Sequence, residues 1–294
     1  SGKGTFLTFK KGDEKSFLGG SGFIANQLAN FSENVDLISV ISNSKTDYNF
    51  IHKKKKKNIK FFPFLTNDSK TIKKTRYVEK VDFNKLIGIY ELDNNQIELK
   101  LENKIVSLLK KRKNYYDLIV VSDFGHGIIS KNIINTINQT KAIKTINSQL
   151  NSSNRGSSGI YKFKRADFAT MNLTELTSEY GAILDDKQIL NLAKQLKKKI
   201  GLKNIIITRG KSGSIMLNEK NNKIICPAFA KNRIDKIGAG DALFALFSLC
   251  KASKLDDHVA LFLSSLAAGY TVEKFGNDHP MIKSDLNKIL SHII

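Results

Sequence analysis

A chain of 294 residues with 41% hydrophobic content can form one large α/β domain or two small ones. No apolar run reaches the ~18 residues needed to cross a bilayer. The most apolar stretch, 259–272, is broken by Ser264, Ser265 and Gly269 and reads as a buried helix. The net charge of +21 brings nucleic acid into view as a partner. The lysines are scattered, however, and no basic motif is interleaved with aromatics, so nucleic acid is set aside. The dense run Lys53 to Lys57 reads as a solvated face after a helix. Only Cys226 and Cys250 occur, outside any metal-ligand spacing, and no leader pattern opens the chain; both point to a reduced, cytoplasmic setting.

Taken in chain order, Thr5 to Phe9 alternates and predicts a short strand. Gly19-Gly20-Ser21-Gly22 is a turn into a helix over 23–31. Strands are expected at 35–41 and 59–65, with a helix over 45–55 between them; Pro63 marks the second strand as an edge or a bend. Residues 71–81 and 86–92 predict paired strands around Asp82-Phe83-Asn84. Ile97, Leu101, Ile105 and Leu108 share one face of a helix over 96–112. Strands at 118–121, 143–146, 167–171 and 204–208 then alternate with helices over 130–140, 173–180 and 187–200. Residues 147–159 read as a long loop. Strands 214–217 and 223–226 form a pair, and three helices near 238–251, 256–274 and 283–292 close the chain. This alternation predicts an α/β fold with a doubly wound, mostly parallel sheet flanked by helices. The strands within 5–18 and 71–92 lie outside the alternation and predict a small β-sheet lid over one end.

Four motifs carry chemistry. Asp235-Lys236-Ile237-Gly238-Ala239-Gly240-Asp241 runs into an apolar helix. Its small residues leave backbone N–H groups uncovered at a helix N-terminus, which attracts anions. Asp241 in that first turn reads either as a complement to the helix dipole or as a general base beside a phosphate cradle. Asn172-Leu173-Thr174-Glu175 follows a strand, at the end of the sheet where open α/β folds bind ligands. It also has the spacing of a capping box. Thr208-Arg209-Gly210-Lys211-Ser212-Gly213 follows the next strand as a glycine turn with cations suited to phosphate. Ser122-Asp123-Phe124-Gly125-His126-Gly127 ends another strand; His126 is expected to be neutral and solvent-facing there, with no catalytic role.

Together these motifs resemble the PfkB/ribokinase family of sugar and nucleoside kinases, from about Gly19 to the C-terminus. The family signature is Asp-Thr-x-Gly-Ala-Gly-Asp, which this chain matches except for Lys236. The resemblance implies a ribokinase-like fold with a β-sheet lid in a single domain over 1–294. It implies Asp241 as catalytic base and Gly238, Ala239 and Gly240 as the anion hole. ATP is expected along Thr208, Arg209, Gly210 and Gly213, and Mg²⁺ near Asn172 and Glu175 through water. The Ser122–Gly127 element, Thr75-Arg76-Tyr77-Val78 and Lys85-Leu86-Ile87-Gly88 are similar to the heptose-7-phosphate kinase branch. From it follow a sugar or sugar phosphate as acceptor, Arg76 as the contact to a phosphate on the sugar, and Asp123 on the acceptor side. That branch often joins its kinase to a nucleotidyltransferase domain, and the wider family forms homodimers through the lid.

Two departures matter. Gly19-Gly20 resembles the sugar-site motif Gly-Gly-x-x-Asn, yet Phe23 stands in the place of the Asn, with Asn26 three residues later. The family also carries an Asp on a first core strand, and only 18 residues precede Gly19. The expectation is a chain without that strand: either it is a piece of a longer protein, or the strand and its Asp are truly missing. Phe23, Lys236 and the missing strand favour an alternative, a kinase-fold module that binds nucleotide or sugar without turnover. The intact Asp241 favours the enzyme.

Overall fold

The computed structural model describes residues 10, 12–81, 83–92, 95–149, 159–177 and 185–293. Helix α1 (Gly20–Ala29) leads to β1 (Val35–Ser42), α2 (Lys45–Lys54) and β2 (Ile59–Thr66). The hairpin β3 (Lys73–Val78) and β4 (Lys85–Glu91) follows, then α3 (Leu99–Lys111), β5 (Leu118–Asp123), α4 (Lys131–Asn138) and β6 (Ile143–Ser148). Beyond lie β7 (Phe168–Asn172), α5 (Leu173–Thr177), α6 (Asp186–Ile200), β8 (Asn204–Thr208), β9 (Ser214–Leu217) and β10 (Lys223–Cys226). The chain closes with α7 (Ala239–Ala252), α8 (Asp257–Val272) and α9 (Lys283–Leu290).

The main sheet runs β10-β9-β8-β7-β6-β5. Strands β5 to β8 are mutually parallel, while β9 and β10 are antiparallel additions at one edge. The period-two geometry of strands sorts successive side chains onto opposite faces. Ile205 and Ile207 join α3, α4 and α6 in one core layer, whereas Ile206, Phe168 and Met216 join α1, α7 and α8 in the other. The three successive isoleucines of Asn204–Thr208 are therefore covered on both faces of the sheet. Nine α7 residues are buried, which explains why its apolar residues run all the way round.

Strands β1 and β2 form a separate parallel pair, so among the described residues β1 has one open edge, and β5 is open at the end of the main sheet. The two open edges line one large cavity of about 3050 Å³. They are tied together at one end. Asp36 of β1 takes the Arg112 guanidinium and the Tyr116 hydroxyl from the segment that enters β5. Val35 and Val120, one from each strand, pack on the same cluster of Ile24, Leu28, Phe244 and Ala245.

The expected strand at 5–9 lies outside the described residues, but the rest of the 5–18 lid prediction is corrected: residues 12–18 form no strand. Leu18 is buried, and the Phe17 ring lies against Gly276, so this stretch packs down as irregular chain. Among the described residues the lid consists of the antiparallel β3–β4 pair, as expected from 71–92, with every β4 residue exposed. Most of the loop expected at 147–159 lies outside the described residues; residues 147–148 extend β6, whose two-sided pairing carries the strand further than the apolar run.

Candidate active site

The turn before α7 is built as the sequence implies. Gly238 is the N-cap at φ 84°, a left-handed conformation that suits glycine, and no side chain caps the helix. A Cβ at this position would meet Asn277 Oδ1 at 2.6 Å. Among the described residues no side chain accepts from the amides of Ala239, Gly240 and Asp241, which open the helix. Asp241 is buried and accepts a hydrogen bond from Gln149 Nε2 at 3.2 Å. Burial raises its pKa to about 7, helped by the nearby charge of Glu175 and opposed by Lys74 and Gln149. An acid poised near neutrality suits a group that must take up a proton during reaction.

Lys74, from β3, brings the lid into the electrostatics of this centre. Its own pKa is lowered, first by burial and then by the neighbouring Arg76, with Asp241 acting against both. The sequence offered no reason to single out Lys74 or Gln149: one is a lysine among many, the other follows a strand with no motif. The same cavity is lined by Gly19, Gly20, Arg76, Asp123, Gly238 and Asp241, so the expected acceptor-side residues converge. Gly20 has φ 49°, and a Cβ there would strike the Phe124 ring at 2.8 Å. The double-glycine turn is thus pressed against the Ser122–Gly127 loop.

Asp123 is buried and heavily engaged. Lys162 pairs with its Oδ2 at 2.7 Å, and the Gly125 amide donates to its Oδ1 at 3.1 Å. These bonds hold the loop after β5 against the short turn at 159–162. His126 is corrected from solvent-facing to buried; the loop folds inward under the lid. Its pKa is lowered from the ordinary imidazole value, first by desolvation and then by Lys74, with Asp123 acting against both. Phe23 points into the core beside Phe168 and Ile206 rather than toward the cavity. Asn26 does not replace the missing sugar contact: it accepts from the Lys56 amide and donates to the Lys54 carbonyl, fastening α1 to the end of α2.

The motifs expected to face the nucleotide assemble on the neighbouring strand ends. Asn172 and Thr208 are register partners at the ends of β7 and β8. Asn172 and Glu175 form a reciprocal cap, each side chain accepting the other's amide at 2.7 and 2.8 Å. Cap and site are compatible, because the buried Glu175 also bears on Asp241. Among the described residues no cluster of three or more His, Cys, Asp or Glu side chains could hold a metal ion. A Mg²⁺ shared with phosphates and water needs only one or two carboxylates. The buried Glu175, close enough to bear on Asp241, fits that requirement. In the Thr208–Gly213 turn, Arg209 pairs with Asp186 at 2.8 Å and donates to the Ser212 carbonyl, so its guanidinium is committed within the protein. Gly210 is exposed at φ 58° with open space around it. Gly213 serves packing, since a Cβ there would meet the Cys226 carbonyl at 2.0 Å.

Comparison with known proteins matches this architecture. A profile described as pfkB family carbohydrate kinase covers residues 8–284. A bifunctional protein HldE from Aliarcobacter butzleri is 28% identical over 90% of this chain and 54% of its own length. The HldE of Nitratiruptor sp. is 25% identical, again over 90% and 54%. The chain thus spans about half the length of these curated relatives. An uncharacterized sugar kinase of Buchnera aphidicola is 26% identical over 93% of this chain and 84% of its own. Among solved structures, ribokinase from Giardia lamblia superposes with a TM-score of 0.73 at 17% identity, covering 93% of this chain and 88% of that one. Phosphofructokinase-2 from Escherichia coli gives 0.74 at 10% identity, covering 92% and 86%. The fold is ribokinase-like, and the chain belongs to the pfkB family of carbohydrate kinases.

Proposed function

We propose that this kinase transfers the γ-phosphoryl group of ATP to a hydroxyl of a phosphorylated sugar, with a heptose 7-phosphate as the leading acceptor. The observation that carries the reading is the buried Asp241, held near neutrality at the mouth of an uncapped helix N-terminus. Asp241 accepts the proton of the attacking hydroxyl. The Gly238, Ala239 and Gly240 backbone faces the charge that develops on the transferred group. Mg²⁺, when bound, neutralises phosphate charge; Asn172 and Glu175 are the residues that would hold it, through water. Thr208, Gly210 and Gly213 shape the nucleotide side. Arg209 meets phosphate only by leaving Asp186.

On the acceptor side, Gly19 and Gly20 bring backbone close to the sugar. Arg76 and Lys74 supply a pair of positive charges on the lid, which supports an acceptor already bearing a phosphate. Asp123 contributes there through the loop it holds. The HldE relatives support the heptose assignment, and a nucleotidyltransferase partner domain belongs to the same proposal. A lid-mediated homodimer is supported by the exposed Leu86, Ile87, Ile89 and Tyr90 of β4. Buried, unpaired Cys226 and Cys250 suit a cytoplasmic setting. The described units form one kinase domain, and the slot between β1 and β5 is the place for the further core strand.

The test is ADP release with Mg-ATP across a panel of sugars and sugar phosphates. We expect turnover with a heptose or hexose phosphate, loss of at least ~10³-fold in Asp241→Asn with ATP still bound, and a raised KM for the phosphorylated sugar in Arg76→Ala. ATP binding without turnover by any acceptor would support the non-catalytic module instead.

A further inference from the structure

Asp235 opens the turn that ends in the anion hole, and it is buried. Its Oδ1 accepts the Ile237 amide at 3.1 Å and its Oδ2 the Gly276 amide at 3.4 Å. The first bond fixes the backbone that leads into Gly238, and the second anchors Asp235 to the loop after α8. The counter-charge comes from elsewhere in the fold: Lys85 Nζ, on the lid strand β4, pairs with Oδ1 at 2.6 Å. Beside this pair the lid tip is docked by a ring contact, Phe83 against Phe275 at 5.0 Å between centroids. A buried carboxylate deprived of its cation is strongly disfavoured and relieves the strain by moving or binding a proton. Either response disturbs these two amide bonds, the first of which shapes the turn. The lid and the anion hole are therefore linked through one charged bond that spans 150 residues of sequence.

We propose that Lys85 is a positioning residue: seated with the lid, it holds Asp235 and thereby sets the Gly238–Gly240 amides for phosphoryl transfer. The lid then does more than cover the acceptor; its closure completes the turn on which transition-state stabilisation depends. This rests on the phosphoryl-transfer reading above for its kinetic consequences, but its structural consequence does not. Lys85 acts through Asp235 and touches no reacting atom.

The test is Lys85→Met in the full chain, examined in two ways. Amide hydrogen exchange without substrates should quicken both in the lid at 85–91 and in the turn at 236–241. Quickening in the lid alone, or in neither, would overturn the coupling whatever the enzyme's activity. In turnover, we expect kcat to fall ~10–100-fold with the KM for ATP within about twofold, because an effect confined to the transition state lowers kcat. Lys85→Arg should restore most of the rate, and added methylammonium should partly rescue a Lys85→Ala variant while leaving the parent unchanged. An unchanged kcat in Lys85→Met, or loss that neither Arg nor the amine repairs, would remove Lys85 from this role. A parent chain that turns over no sugar would count against the kinase reading and leave the exchange result to decide the coupling.

Discussion

Asp241 binds its proton in the folded chain up to about pH 7, against an ordinary value of 3.8. Two consequences follow with opposite practical sense. As the proposed base, Asp241 is competent only once ionised, so kcat/KM is expected to rise with pH through about 7 and level off above it; a profile flat from pH 5 to 8 would remove Asp241 as the titrating base. Stability runs the other way. Between about pH 4 and 7 an unfolded Asp has released its proton while the folded one retains it, so folding loses stability as pH rises through that window. Asp241→Asn is therefore expected to melt a few °C higher than the parent at pH 8, with the gap closing near pH 4 (~1 kcal/mol moves the melting point of a chain this size by roughly 2–4 °C). At Gly238 the backbone has φ 84° and the Asn277 oxygen occupies the Cβ position. Gly238→Ala should cost about 1–3 kcal/mol by denaturant unfolding and lower kcat at least tenfold. Gly240→Ala has open space around it and should cost less than ~1 kcal/mol of stability.

Helix α7 is the element that converts the turn into a fixed site. Its N-terminus carries the proposed anion hole and its body is clamped between the sheet and α8. Phe247, fully buried, meets Phe168 of β7 edge-on at 5.6 Å. Phe247→Ala is expected to destabilise by ~3–5 kcal/mol, read as a lower denaturant midpoint at unchanged m value. The motif strands follow the same logic. Ile205 to Ile207 alternate between two core layers, so β8 cannot slip register without turning Ile206 out of its own. That fixed register is what sets Thr208 beside Asn172. At the end of α2, Lys53 and Lys54 sit in the last turn, where they complement the helix dipole. Part of the basic run thus has a local use that needs no polyanion.

At the level of the whole molecule, the slot between β1 and β5 stands out. Open strand edges leave backbone donors and acceptors unmatched, which folded proteins avoid. A parallel strand placed between them would pair with both and join the two sheets into one. In a chain extended at its N-terminus by a segment long enough to reach the slot, amide exchange at 35–42 and 118–123 should slow and the melting point should rise. Exchange unchanged at both edges would refute the strand. The lid adds the other long-range feature, since Lys74 and Lys85 reach Asp241 and Asp235 from a hairpin more than 140 residues away in sequence.

The sequence by itself determined the α/β alternation, the two-sided burial of the central strands, the glycine turn before α7 and the placing of Asn172 and Thr208 at strand ends. These are local matters: period, β-branching, helix caps and glycine spacing act over a few residues. What only the tertiary structure decided is how distant groups meet. Burial, Glu175 and Lys74 together give Asp241 its proton affinity, Asp123 is claimed by Lys162, Arg209 by Asp186, and His126 lies inside rather than out. Each depends on the electrostatic surroundings supplied by a different element. Charge and desolvation act through space, so a lysine on the lid and a carboxylate before α7 carry no mark in the sequence that they will share one bond.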